Sequence, residues 1–496
     1  MLPCMIQTTG SRATDNALDA AEASSPVEAV ETVTRELGLA LGATKVSFLI
    51  ADLSGRALVR LAHVALTADG GGPGEPTLGA DERRALEESA TVLPLDGGPA
   101  EQAIRTQQVQ VVGPGDRSSA ANGGAMWVAF APVTERGEAI GVLELTVPAR
   151  PNDATVAQIA RLAHVLAFVI IANRRHTDLY EWGQRTRPFS LSAEIQHRLL
   201  PGPQTCEAGA FTLAGWLEPS SGIAGDTFDF SLARDFLHLS MTDAMGHGVG
   251  AALTATLCVG SLRNARKAGA SLLGQVTATN EAIVTHAAAS GLEDFVTGVV
   301  GRVDLRTGSL ELVNAAHVLP YLARGSTAAQ LELPVQLPLG MFAETTYETT
   351  HVQLQPGDRL VFLTDGMVER NAVAVDFAAA IGETRALHPR EAVRALADRV
   401  LAETGGKLND DATVLCLDWH GGTGGTARPS TVPSKIAPAS PWPDVGSRVQ
   451  KSTGSRMIGQ VMQWPPPRPR PSSAPTIVIT STPALRSNVF VSVLRS

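Results

Sequence analysis

Met241-Thr242-Asp243-Ala244-Met245-Gly246-His247-Gly248-Val249-Gly250-Ala251-Ala252-Leu253 is the stretch whose reading decides the fold of the second half of the chain. Before it, Leu237, Leu239 and Met241 alternate with other residues, the pattern of a half-buried strand. After it, Ala252, Leu253, Leu257 and Leu262 recur at helical spacing. An acidic residue therefore ends a strand, and a glycine-rich turn leads into a helix. A carboxylate at a strand end is accessible yet rigidly held, which suits chemistry.

Similar acidic turns recur in Ile223-Ala224-Gly225-Asp226, Thr364-Asp365-Gly366 and Asn409-Asp410-Asp411-Ala412-Thr413. Asp243 and Asp365 end apolar strands, and Asp410 precedes one. A lone aspartate in such a place is usually a turn former. Several in one domain, without His or Cys, suit hard divalent cations such as Mg²⁺ or Mn²⁺. Two such ions about 3.5–4 Å apart can activate a shared water and clamp a phosphate in flight. The expected chemistry is phosphoester hydrolysis with no protein nucleophile.

The surrounding pattern is mixed. Strands are expected at Phe211 to Leu217, Phe228 to Ala233, Phe236 to Thr242, Phe295 to Leu305, Ser309 to Asn314, His317 to Ala323, Tyr347 to Leu354, Arg359 to Thr364 and Thr413 to Trp419. Long helices are expected at His247 to Ala268, Ser271 to Ala288 and Arg390 to Thr404. Runs of strands interrupted by paired helices indicate α+β with antiparallel sheets.

The chain has 496 residues and a formal net charge of -9, with 44% hydrophobic and 18% charged residues. A large core can form, and several domains fit the length. The acidic balance argues against a nucleic-acid partner. Cys4, Cys206, Cys258 and Cys416 are scattered, which argues against a disulfide framework or a structural zinc pattern. No signal peptide is apparent, and the apolar run Leu162 to Ala172 is short of the roughly 20 residues a membrane helix needs. The expectation is a cytoplasmic protein without a membrane segment.

Residues 1–24 lack periodicity and are expected to be a disordered terminus. Residues 25–175 read as helix, strands, a glycine-rich loop at 69–76, a hairpin around Glu135-Arg136-Gly137, and a long helix from Asp153. With Gly137-Glu138-Ala139-Ile140-Gly141-Val142-Leu143-Glu144-Leu145 as a late strand, this order resembles a GAF domain, an α/β sensory fold. The resemblance implies a small-molecule or protein signal, or a homodimer interface. Residues 176–200 read as a linker ending in a helix capped by Ser190 or Ser192. Residues 421–496 hold nine Lys and Arg against one acidic residue, Asp444. This basic, proline-rich tail is expected to be disordered, and Trp464-Pro465-Pro466-Pro467-Arg468-Pro469-Arg470-Pro471 favours polyproline II.

Seven motifs occur in a specific order: Ala193-Glu194-Ile195-Gln196-His197-Arg198-Leu199-Leu200-Pro201, Ala224-Gly225-Asp226-Thr227-Phe228-Asp229, Asp243-Ala244-Met245-Gly246-His247-Gly248, Asn314-Ala315-Ala316-His317, Pro356-Gly357-Asp358-Arg359-Leu360, Thr364-Asp365-Gly366-Met367-Val368-Glu369 and Asp410-Asp411-Ala412-Thr413. Together they resemble the SpoIIE-like and RsbU-like members of the metal-dependent type 2C (PPM) Ser/Thr phosphatases. The resemblance implies an αββα sandwich over residues 201–420. It implies catalytic, metal-binding roles for Asp226, Asp243, Asp365 and Asp410, with the Ala244 carbonyl completing a site for two Mn²⁺ or Mg²⁺ ions. It also implies a phosphorylated anti-sigma-factor antagonist as substrate. Two departures stand out: Ala224 and Ala316 occupy positions that are glycine in the family. Alanine at 316 is unfavourable if the position needs positive φ.

Two other readings compete. Gly246-His247-Gly248-Val249-Gly250-Ala251 fits a dinucleotide-binding turn, but no acidic residue follows about 20 positions on. A pseudophosphatase adaptor would bind the phosphoprotein without turnover; retention of the four aspartates argues against it.

Overall fold

A computed structural model of the chain describes residues 3–53, 55–66, 92–95, 97–114, 126–185, 189–219, 225–291, 294–334, 336–368, 375–406 and 408–421. The loop at 69–76, Ala224, Glu369 and the tail beyond Gly421 lie outside the described residues.

The first half runs α1 (Pro3–Ala23), α2 (Ala29–Ala40), β1 (Lys45–Ala51), β2 (Ala57–Ala65), β3 (Val92–Pro94), α3 (Pro99–Thr106), β4 (Gln110–Val112), β5 (Trp127–Glu135), β6 (Glu138–Val147) and α4 (Asp153–Asn173). The strands form one sheet in the order β3-β2-β1-β6-β5-β4. On β1, Val46, Phe48 and Ile50 face a core shared with α2 and α4, while Leu49 meets Ile104 and Val142 on the other side. The β5–β6 hairpin turns through Arg136 and Gly137, both at positive φ (44° and 82°), as a two-residue hairpin of the right twist requires. Asn152 caps α4 by accepting from the Thr155 N–H.

Helix α1 corrects the expectation for residues 1–24. Ala13 and Ala17 are buried one turn apart, with Ala21 packed behind them. A narrow alanine stripe gives little hydrophobic periodicity, which is why the sequence reads as featureless there. Helix α4 is long and apolar enough to cross a membrane by length and composition. Its Ile159, Leu162, Leu166 and Ile170 nevertheless pack into the core of the sheet.

Helices α5 (Leu179–Gly183) and α6 (Leu191–Leu199) follow. Ser190 caps α6 through the Ala193 N–H.

The second half continues with β7 (Thr205–Glu207), β8 (Phe211–Glu218), β9 (Asp226–Leu232), β10 (Phe236–Ala244), α7 (Gly248–Lys267), α8 (Leu272–Ser290), β11 (Val296–Asp304), β12 (Ser309–Ala315), β13 (Tyr321–Arg324), β14 (Thr327–Gln330), β15 (Thr350–Gln353), β16 (Arg359–Leu363), α9 (Asp365–Val368), α10 (Phe377–Glu383), α11 (Pro389–Glu403) and β17 (Ala412–Trp419). Two antiparallel sheets result, β15-β12-β11-β10-β9 and β14-β13-β16-β17-β8-β7. Their inner faces share Phe211, Phe228, Met241, Val299, Phe362 and Leu415. Outside the first sheet, Cys258, Leu262, Val276 and Ile283 of α7 and α8 cover Val300 and Val313. Outside the second, Ile381, Val393 and Val400 of α10 and α11 cover Val361 and Val414. This is the expected αββα sandwich, each apolar face buried by a neighbouring layer. The short strands β7 and β14 and helix α10 carry too few periodic residues to be read from sequence.

After β12 the chain turns at Ala316, whose φ is +55°. The turn is held by Asn314, which accepts from the His317 N–H (2.8 Å) and donates to the His317 carbonyl (3.1 Å). Alanine pays for the left-handed conformation with about 1–2 kcal/mol of steric cost that glycine avoids. Ala316→Gly is therefore expected to stabilise the protein by about 1 kcal/mol, raising the melting temperature by about 2–4 °C in a thermal unfolding scan.

Candidate metal centre

The acidic residues meet where the two sheets of the sandwich end together. Asp226 opens β9 and Asp243 is the penultimate residue of β10, and the antiparallel register sets them directly opposite each other. Like charges facing across a ladder are destabilising unless something compensates. From the second sheet, Asp365 follows β16 at the start of α9, and Asp410 and Asp411 precede β17. β16 and β17 are adjacent, so these turns lie side by side.

Asp226 is 2% exposed. Its Oδ2 accepts from the hydroxyls of Thr364 (2.7 Å) and Thr413 (2.6 Å). Thr364 Oγ1 in turn accepts from the Thr413 N–H at 3.0 Å. Burial, then the Asp243 charge, still push the Asp226 carboxyl well above its usual range. The Asp243 carboxyl is pushed up to about 7, first by burial and then by Asp365, Asp410 and Asp411. Those three charges therefore act on one point at the end of β10.

Two glycines let the backbones come this close. A side chain at Gly225 would place its Cβ 2.5 Å from the Ala244 carbonyl oxygen and 3.1 Å from Asp243 Oδ1. A Cβ at Gly366 would collide with the Asp411 carbonyl oxygen. Gly225 thus clears space beside the Ala244 carbonyl, and Gly366 lets the Asp365 turn nest on the Asp410-Asp411 turn.

The sequence-derived residues Asp226, Asp243, Ala244, Asp365 and Asp410 all come to this end of the sandwich. Among the described residues, no three His, Cys, Asp or Glu side chains close on a single point. The donor set is nonetheless all oxygen, multiply anionic and backed by a carbonyl, which fits hard divalent cations. His247 is exposed at the start of α7. His317 is buried, bonded to Thr297 at 3.0 Å, and its pKa is lowered to about 4 by burial. Among the described residues, neither histidine has a carboxylate partner.

Sequence reasoning missed Thr364, Thr413, Gly225, Gly366 and Gln196. The first four adjoin the acidic residues in the quoted motifs, but only the sheet pairing shows what they touch. Gln196 lies on α6 and donates to Asp411 Oδ2 at 2.6 Å.

The sequence family Stage II sporulation protein E (SpoIIE) matches residues 234–420. Residues 234–420 are thus similar to a SpoIIE-type domain. Asp243, Asp365 and Asp410 fall inside the matched residues, and Asp226 falls just before them. Phosphoserine phosphatase RsbU of Bacillus subtilis (strain 168) is 22% identical over 291 residues, covering 56% of this chain and 83% of that protein. Protein IcfG of Synechocystis sp. is 26% identical over 188 residues; the match takes in 32% of this chain and 29% of IcfG, under a third of that relative's length. Among solved structures, the SiaA-PP2C domain of Pseudomonas aeruginosa is 20% identical with a TM-score of 0.39, covering 46% of this chain and 93% of that one.

The raised Asp243 pKa has a thermodynamic consequence for the SpoIIE-type domain. An unfolded aspartate has the ordinary value of 3.8, whereas the folded one lies at about 7. Between these values the folded state holds more protons than the unfolded state, so stability falls as pH rises. In chelator-treated protein, the melting temperature should drop by several degrees from about pH 5 to about pH 8, and Asp243→Asn should flatten that dependence.

Proposed function

We propose that the chain is a metal-dependent protein serine/threonine phosphatase. The observation that carries this reading is the facing pair Asp226 and Asp243, with the charges of Asp365, Asp410 and Asp411 converging on Asp243. In this reading Asp226, Asp243, Asp365 and Asp410, with the Ala244 carbonyl, hold two Mn²⁺ or Mg²⁺ ions. When bound, the ions supply charge neutralisation for the phosphate and an activated water for in-line attack.

The chain's own residues set the conditions for that attack. Thr364 and Thr413 fix one oxygen of Asp226, so its orientation does not depend on the ligand. Burial of Asp226 and partial burial of Asp243 strengthen their attraction for cations. Asp365 is exposed at the rim, where a phosphorylated segment of another protein would approach.

The substrate we propose is a phosphoserine or phosphothreonine on a regulatory protein, in particular an anti-sigma-factor antagonist, with sigma-factor control as the outcome. Similarity to a phosphoserine phosphatase, RsbU, supports the substrate class. Residues 25–175 are read as a GAF-like sensory domain that takes a small-molecule or protein signal or forms a homodimer; the central antiparallel sheet with α2 and α4 on one face and α3 on the other supports this. The place of action we propose is the cytoplasm.

Phosphate release from a phosphoserine antagonist protein, with and without Mn²⁺, tests the reading. The wild type should require Mn²⁺, and Asp365→Asn should fall to about one-hundredth or less, the scale of losing one preorganised electrostatic partner. Binding of the phosphoprotein without metal-dependent release would favour the pseudophosphatase adaptor instead.

A further inference from the structure

Helix α6 precedes the sandwich, yet one of its side chains reaches into the acidic end of it. Gln196 is 2% exposed. Its Nε2 donates to the backbone carbonyl of Asp226 (2.8 Å) and to Asp411 Oδ2 (2.6 Å). Both partners are acceptors, so only the NH₂ end of the amide fits there, and its two hydrogens match the two acceptors. Asp411 is fully buried. Its own N–H donates to Asp410 Oδ1 at 2.8 Å. One amide thus connects the first residue of β9 in one sheet to the Asp410-Asp411 turn of the other.

Helix α6 is itself anchored by ion pairs on either side of Gln196. Arg198 pairs with Glu181 of α5, and Arg185 just after α5 pairs with Glu194. The Gln184 carbonyl accepts from the Leu53 N–H of the N-terminal half at 3.0 Å. The placement of α6 is therefore referred to the first half of the chain, and Gln196 is where that placement meets the acidic centre.

We propose that Gln196 is a positioning residue of the metal centre: it fixes Asp411, and through it Asp410, against Asp226, so that the carboxylates are set for cation binding only while α6 is docked. This rests on the metal-centre reading above. Partners that orient a metal ligand from behind typically contribute a factor of 10–100 in metal affinity.

The test is calorimetric Mn²⁺ binding to the full chain, with far-UV circular dichroism and metal-free melting as controls of folding. Gln196→Met keeps length and volume but donates nothing. It should fold and bind Mn²⁺ at least about tenfold more weakly than the wild type. In an Asp411→Asn background, where the acceptor at position 411 has lost its charge, the same substitution should have a smaller effect on affinity than in the wild type. If Gln196→Met does not fold, Gln196→Asn, one methylene too short to reach both acceptors, is judged by the same thresholds. A folded variant that binds Mn²⁺ within roughly twofold of the wild type overturns the proposal, as does an undiminished effect in the Asp411→Asn background. A wild type that binds no Mn²⁺ overturns the metal-centre reading itself, and the positioning role with it.

Discussion

Two threonine hydroxyls donating to one buried carboxylate oxygen hold the acidic end of the sandwich together. Thr364 follows β16 and Thr413 lies in β17, while Asp226 begins β9 in the opposite sheet. The pair of bonds crosses between the sheets, so it fixes their separation where inner-face packing gives out. It also offsets part of the cost of burying Asp226 opposite Asp243. Without these donors the facing aspartates would repel with nothing to orient them. With them, Asp226 is held in one orientation at the strand end.

The two halves of the chain meet through polar groups. Arg105 pairs with Glu391 of α11 at 2.8 Å, and both side chains are largely buried. Arg390 donates to the carbonyls of Arg105 and Gly137, the latter at the tip of the β5–β6 hairpin. Arg56 forms a two-point contact with Glu218 at 2.9 Å. Breaking one partner of a buried pair leaves an uncompensated charge, so contacts of this kind favour one arrangement over many similar ones. Together with α5 and α6, they give the first half two routes to the SpoIIE-type domain, one along α11 and one ending at Gln196.

Much of this was legible in the residues. The strand Phe236 to Thr242 alternates apolar residues, Arg359 to Thr364 holds a short continuous apolar run, and an aspartate follows each, so they could be placed before any tertiary contact was known. The helix at Arg390 to Thr404 has the right period and a proline at its start. Helix α1 was not legible, because alanines bury little area and give no contrast between faces. The strain at Ala316 could be stated only as a condition, since φ is a property of the turn and not of the residue type.

The sequence by itself determined the layers, since binary patterning dictates which faces must be covered, and it determined which carboxylates stand at strand ends. Only the tertiary structure decided what those carboxylates do to one another. The β9–β10 register sets Asp226 against Asp243, and the adjacency of β16 and β17 brings Asp365 beside Asp410. The docking of α6 puts Gln196 on Asp411. Asp226 and Asp411 are separated by almost the whole domain in sequence. The repulsion between them exists only because long-range pairing closes that distance, and local pattern carries no information about it.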